Sequence, residues 1–279
     1  MVKVEFNGRF GNNLCQYILG HIISEELSYK LQAPQNNYNF LSSQLLGYEY
    51  HSPVERYSGH VIDLKKIIAN KEPRKIIIEG YFQRFEYYKS YRDRINGWFN
   101  YFKDYYNDGS VLKPRPNDLI LHVRGGDLWN NKHSGCQHAP IPLRFYQKVI
   151  EETDYEDVYV VTESAEDPVV KKLVYIYPKI DVLSQSVLSD FLFIYFAGMA
   201  NTIALSMSTL AWWGAWLSRV GTVHFPLYGF WHPDSPRQDI DMRVTNDDRY
   251  IYHDLGVLDD WVNSPDQVAY ILKELDIAL

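Results

Sequence analysis

Cysteine is nearly absent from the chain, which holds two in 279 residues, Cys15 and Cys136. So few thiols, so far apart, exclude a disulfide framework. Positive charge is also short, with 28 basic residues against 35 acidic and a formal net charge of −7. That balance argues against a nucleic-acid binder or a protein held on anionic membranes, and leaves room only for a local basic site. No internal repeat, low-complexity tract, Walker loop or G-x-S-x-G elbow is present. The first residues, Met1-Val2-Lys3-Val4-Glu5-Phe6, alternate as a strand and lack a basic stretch leading into an apolar core. No signal peptide is therefore expected, and the expected location is cytoplasmic. One stretch, 191–218, contains no Asp, Glu, Lys, Arg or His, but Asn201, Thr202, Ser206, Ser208, Gly198 and Gly214 interrupt it. It reads as helix, strand and helix of an α/β core, not as a membrane span.

Apolar residues make up 46% and charged residues 23%, a globular composition. A chain of this length hides roughly 70–75% of its extended surface on folding, enough for a sizeable core. Short apolar strands alternate with helical patterns. Strands are expected at 2–6, 75–79, 119–123, 158–162, 202–205 and 223–226. Helices are expected at 13–30, 85–106 with interruptions, 145–152, 168–175, 189–200, 209–218 and 267–275. This alternation predicts an α/β fold with largely parallel sheets. The polar, proline-containing stretch 107–117 is the expected linker. It divides the chain into an N-terminal domain, 1–112, and a C-terminal domain, 113–279.

Three segments carry candidate chemistry. Asn7-Gly8-Arg9-Phe10-Gly11-Asn12-Asn13 follows the first strand and opens a helix. Its glycines permit a sharp turn and a close approach to a ligand, and Arg9 and Asn12 are the candidate polar contacts. The same pattern also fits a plain strand-to-helix turn. The second segment is His122-Val123-Arg124-Gly125-Gly126-Asp127 at the carboxyl end of a strand, where open α/β sheets bind ligands. Arg124 can clamp a phosphate, with Gly125 and Gly126 expected to leave room for its approach. His122 alternates onto the same side of the strand, and Asp127 is expected to hold the loop or Arg124. The third is Ser206-Met207-Ser208-Thr209, leading into a helix with Trp212, Trp213 and Trp216. Hydroxyls and helix N–H groups there suit an anion, although ordinary capping uses the same residues. The tryptophans are expected in the core. Asp190, near the start of the preceding helix, could accept hydrogen bonds from a base or ribose.

Two other patterns are weaker. His133, Cys136 and His138 fall within six residues, but a structural zinc site wants four well-spaced ligands. Asp239-Ile240-Asp241 has the D-x-D form that metal-dependent glycosyltransferases use, in a polar late segment. No metal is expected.

Taken in order, Gly8-Arg9-Phe10-Gly11-Asn12, Gly80-Tyr81-Phe82-Gln83, His122-Val123-Arg124-Gly125-Gly126-Asp127 and Ser206–Trp213 resemble the inverting fucosyltransferase superfamily. The likeness is nearest to the bacterial-type α1,2-fucosyltransferases, whose signatures read G-x-x-G-N, G-Y-F-Q, H-x-R-R-G-D and S-x-S-T-x-x-W-W. The resemblance covers roughly residues 5–218 and implies a GT-B-like arrangement of two Rossmann-like domains facing a cleft. The C-terminal half would bind a nucleotide sugar, GDP-fucose by expectation, as a donor substrate with no required metal or other cofactor. A glycan hydroxyl would accept the sugar. Carried over, Arg124 would bind the diphosphate and stabilise the leaving nucleotide, with Asn12 the second catalytic residue. His122, Asp127, Asp190, Ser206, Ser208 and Thr209 would line the nucleotide site, and Arg9 would reach it from the N-terminal domain. No carboxylate of the matched motifs is a compelling general base: either a residue outside them serves, with Glu163 at a strand end the candidate, or deprotonation is late and base-poor. The second arginine of the signature is Gly125 here, which removes a positive charge and keeps open another donor, such as UDP-xylose or a different pentose or 6-deoxyhexose nucleotide. A nucleotide- or sugar-binding protein without catalysis is the remaining alternative.

Overall fold

A computed structural model describes residues 1–34, 53–107, 109, 111–130 and 137–275. By their contacts the residues form two compact units, Met1–Phe99 with Asp239–Arg243, and Asn100–Gln238 with Val244–Leu279. The division falls ahead of the 107–117 linker because Phe102 packs edge-on against Phe191 and Tyr195, at 5.7 and 5.5 Å between ring centroids. Those contacts place residues from 100 onward in the second unit. The segment Asp239–Arg243 joins the first through backbone bonds from Phe85 N–H to the Asp241 carbonyl (2.7 Å) and from Asp241 N–H to the Gln83 carbonyl (3.0 Å).

The first unit contains β1 (Val2–Val4), α1 (Phe10–Glu26), β2 (Leu31–Gln32), β3 (Val54–Tyr57), α2 (Leu64–Ala69), β4 (Lys75–Ile78) and α3 (Arg92–Trp98). Its four strands run parallel in the order β2-β1-β4-β3. Helix α1 stops before residue 30 because Ser28 takes the left-handed conformation, φ 54°, and Tyr29 N–H returns to the Ser24 carbonyl. That turn delivers the chain into β2. Strand β3, with the sequence VERY, carries no apolar run and alternates between exposed and half-buried residues. An edge strand of this kind gives no periodic signal strong enough to read.

The second unit contains α4 (Phe102–Asn107), β5 (Leu119–Val123), α5 (Leu143–Glu152), β6 (Val158–Thr162), α6 (Pro168–Ile176), β7 (Asp181–Leu183), α7 (Val187–Tyr195), β8 (Thr202–Ala204), α8 (Thr209–Leu217), β9 (Thr222–Leu227), β10 (Tyr250–Asp254) and α9 (Pro265–Ile271). Its strands are parallel in the order β10-β9-β8-β5-β6-β7. Taken from β7, that is the 3-2-1-4-5-6 winding of a Rossmann sheet, with the direction of winding reversing between β5 and β8. All five residues of β5 are buried, as a central strand covered on both faces requires. The 191–218 stretch resolves into α7, β8 and α8, and Trp212, Trp213 and Trp216 lie in the core. Among the described residues no helix is long and apolar enough to cross a membrane.

On β9 and β10, His224 Nδ1 lies 2.8 Å from His253 Nε2, and both rings are buried. One ring must donate and the other accept, so the two cannot both be protonated. Burial, with His253 and Lys148 adding to it, pushes the His224 pKa down to about 4. Burial and Lys148 also lower that of His253, against Glu152. The unfolded chain takes up protons near pH 6.5 that the folded pair refuses until much lower pH, so stability falls as pH drops from about 6.5 toward 4. Urea unfolding across that range should show a shallower dependence in His224→Gln/His253→Gln than in the wild type. Equal slopes would remove the pair as the cause.

Candidate functional site

At the reversal of the second sheet, the ends of β5 and β8 separate without a connection passing between them, and two of the sequence segments meet there. His122 Nδ1 and Ser206 Oγ are 2.7 Å apart and buried. The Tyr146 hydroxyl donates to the His122 carbonyl at 3.0 Å, fixing the end of β5 from α5. Two residues on, Arg124 leaves the strand end with its side chain 19% exposed. Its Nη2 stands 3.3 Å from an Asp127 carboxylate oxygen, and Asp127 is mostly exposed. Asp127 therefore steadies the guanidinium from the solvent side. Ser208 is the N-cap residue of α8, with extended torsions (φ −138°), but its side chain makes no capping hydrogen bond. Plain capping does not account for the hydroxyl. Thr209 begins the helix, whose first-turn N–H groups carry the positive end of its dipole.

Asp190 lies in the first turn of α7 and is 8% exposed, with Oδ1 fully buried and without a hydrogen-bond partner. Burial pushes its pKa up to about 7; the backbone N–H of Gln185 opposes the shift and the charge of Glu163 adds to it. A buried carboxylate oxygen left without a partner is costly to keep. Such a group is a functional-site candidate on physical grounds. Glu163, just beyond β6, is exposed.

Gly125 and Gly126 do not leave the space for a ligand that the sequence suggests. A Cβ on Gly125 would fall 1.6 Å from Asp167 Oδ2, and one on Gly126 would fall 2.8 Å from Glu163 Oε2. The protein's own carboxylates occupy that room. Neither Asp167 nor Trp129 belongs to a sequence motif, and nothing in the sequence places them beside Gly125.

In the first unit, Asn12 and the Gly80–Gln83 segment come together: Gln83 Nε2 donates to Asn12 Oδ1 at 2.7 Å. Gln16 Nε2 donates to the Gly80 carbonyl (2.9 Å) and Asn7 Nδ2 to the Glu79 carbonyl (3.0 Å), tying the ends of β1 and β4. His60, also unforeseen, accepts from Gln83 N–H at 3.3 Å and stacks with Tyr81 at 5.7 Å. Arg9 is the N-cap residue of α1 and exposed, without a side-chain capping bond.

Asp241 of the D-x-D triplet is held by Arg243, whose Nε and Nη2 donate to its two oxygens at 2.8 Å each. Burial works to raise the Asp241 pKa, but these bonds and the nearby guanidiniums bring it below the usual carboxylate range. The Asp239 carbonyl accepts from Arg84 at 3.1 Å. Residues 133–136 lie outside the described residues, and His138 Nε2 is 3.2 Å from the Met207 carbonyl. Among the described residues no group of three or more His, Cys, Asp or Glu side chains is arranged to hold a metal ion.

No protein-family model matches the chain. It is 29% identical over 153 residues to the O-antigen biosynthesis glycosyltransferase WbnK of Escherichia coli, across 50% of this chain and 49% of that protein. The match thus spans about half the length of that curated relative. Among solved structures, NodZ alpha-1,6-fucosyltransferase co-crystallised with GDP is similar at a TM-score of 0.43 and 11% identity, over 78% of this chain and 92% of that one.

Asp190 has a measurable signature without any ligand. Its raised pKa means the folded state holds a proton the unfolded chain gives up near pH 4, so its contribution to stability is lost as pH rises through about 7. Asp190→Asn should unfold a few degrees above the wild type at pH 8.5 and lose that advantage at pH 5. A variant no more stable than the wild type at pH 8.5 would show that the carboxylate is already satisfied.

Proposed function

We propose that the protein is an inverting glycosyltransferase, transferring fucose from GDP-fucose to a glycan hydroxyl in the manner of α1,2-fucosyltransferases. The observation that carries this reading is the hydrogen bond joining His122 to Ser206 at the winding reversal, with Arg124 and the α8 N-terminus beside it. That combination offers a guanidinium, hydroxyls and helix N–H groups to a diphosphate at the place where doubly wound sheets bind nucleotides. The partial likeness to WbnK supports the glycosyltransferase class.

In this reading the acceptor oxygen attacks the anomeric carbon from the face opposite the diphosphate. The new C–O bond forms as the bond to the phosphate oxygen breaks, and the bonding pair leaves with the nucleotide. Arg124 and the first-turn N–H groups of α8 meet the charge growing on that phosphate. Asp190 accepts hydrogen bonds from the base or ribose, which would lower its pKa from the ligand-free value. His122, Ser206, Ser208 and Thr209 hold the nucleotide. The acceptor proton goes to Glu163 or leaves late to solvent. Transfer needs no metal, consistent with the Asp241 carboxylate being engaged by Arg243.

Gly125 supports a second reading, the same chemistry with a UDP-linked pentose or another 6-deoxyhexose donor. Calorimetry with GDP and UDP, with and without EDTA, separates the two. GDP should bind preferentially, unaffected by EDTA, and Arg124→Ala should weaken binding and cut transfer by ~10²–10³. Preference for UDP would move the donor to the second reading. Full activity in Arg124→Ala would remove Arg124 from the mechanism. Binding without transfer to any glycan would leave a nucleotide-binding protein.

A further inference from the structure

Asp167 serves two elements at once. As the N-cap residue of α6, its Oδ1 accepts from Val169 N–H (2.8 Å) and Val170 N–H (3.3 Å). Its Oδ2 accepts from Trp129 Nε1 at 2.7 Å, and the Gly126 backbone N–H also donates to the carboxylate. The residue is 4% exposed. The hydrogen atoms of Gly125 lie directly against this pair: a Cβ there would stand 1.6 Å from Asp167 Oδ2 and 2.4 Å from Trp129 Nε1. Gly126 takes φ +45°, with Glu163 filling the side-chain space beyond it. The far end of the loop is fastened as well. Leu128 N–H returns to the Gly125 carbonyl (2.8 Å), and Trp261 Nε1 donates to the Leu128 carbonyl (2.8 Å). Asn263 donates to the Trp129 carbonyl, and Trp129 meets Trp261 edge-on at 6.0 Å.

We propose that Asp167 is the positioning residue for Arg124, acting through a lock formed with Gly125 and Trp129 that closes position 125 to any side chain. The loop 124–129 is seated on a carboxylate of the β6–α6 turn, and a loop so held presents one guanidinium, Arg124, in a fixed place. Gly125 is then not a lost arginine but a requirement of the lock. Writing arginine back at 125 would drive out Asp167 and Trp129 and move Arg124. The positioning role rests on the reading that Arg124 binds the donor's diphosphate; the lock itself does not.

Asp167→Asn separates the two duties of the residue. Asparagine is a good N-cap and keeps its oxygen toward Val169 and Val170, while its amide N–H groups face the Trp129 and Gly126 donors and repel them. The measurements are GDP and UDP binding by calorimetry and the Trp129 indole ¹H–¹⁵N resonance, assigned through Trp129→Phe. Asp167→Asn and Gly125→Ala should each move that resonance and weaken nucleotide binding roughly tenfold, as the loss of one hydrogen bond to a charged group does, with helical circular dichroism unchanged. Asp167→Ser alone should also weaken binding. Added to Gly125→Ala, it should recover part of the loss, because the collision at Oδ2 is gone. Gly125→Arg should bind nucleotide more weakly than the wild type. An unmoved Trp129 resonance in both single variants, wild-type affinity in Gly125→Arg, or purely additive losses in the double variant would each overturn the proposal. If the wild type binds neither nucleotide, the transferase reading and the positioning role fail together, and the resonance still decides whether the lock exists.

Discussion

A parallel sheet that winds first one way and then the other must leave a gap where the direction changes. In the second unit that gap lies between β5 and β8, and the candidate residues His122, Arg124 and Ser206 follow the ends of those strands or lie in them. The strands on either side are short and buried, so their ends are rigid, and the loops that follow cannot cross the opening. The His122–Ser206 bond closes its floor. Arg124 then leaves the end of β5, and α8 starts beyond the end of β8.

Buried polar groups divide into those the fold satisfies and those it leaves waiting. His224 and His253 satisfy each other at the cost of charge. Asp167 meets donors on both oxygens, from Val169 and Val170 on one side and Trp129 on the other. Asp190 keeps one buried oxygen without a partner in the described structure. Such an oxygen, on a carboxylate whose pKa burial pushes up to about 7, makes Asp190 a candidate for a ligand that completes its hydrogen bonding.

The elements read most closely from the sequence are the buried ones. β5 and β6 match the expected 119–123 and 158–162 to the residue, because a strand covered on both faces is a continuous apolar run. Helices α6 and α8 differ by a residue or so, since Asp167-Pro168 and Ser208-Thr209 are strong start signals. The elements that escaped notice, β2, β3, α2, β7 and β10, sit at edges or on the surface, where short or mixed polar sequence hides the period. For the candidate site, motif order singled out His122, Arg124 and Ser206, of which the structure brings His122 and Ser206 together. Motif order could not find Asp167, Trp129 or His60, whose roles come from residues dozens of positions away.

The sequence by itself determined the α/β class, the central strands and the polar residues at their ends, because hydrophobic period and capping chemistry act over a few neighbouring residues. Only the tertiary structure decided which strand ends stand together, and what fills the space beside Gly125. Sequence shows that a glycine has no side chain. Whether the vacated volume admits a ligand or a carboxylate from another loop depends on how parallel strands order themselves in space, and here it is Asp167 that fills it.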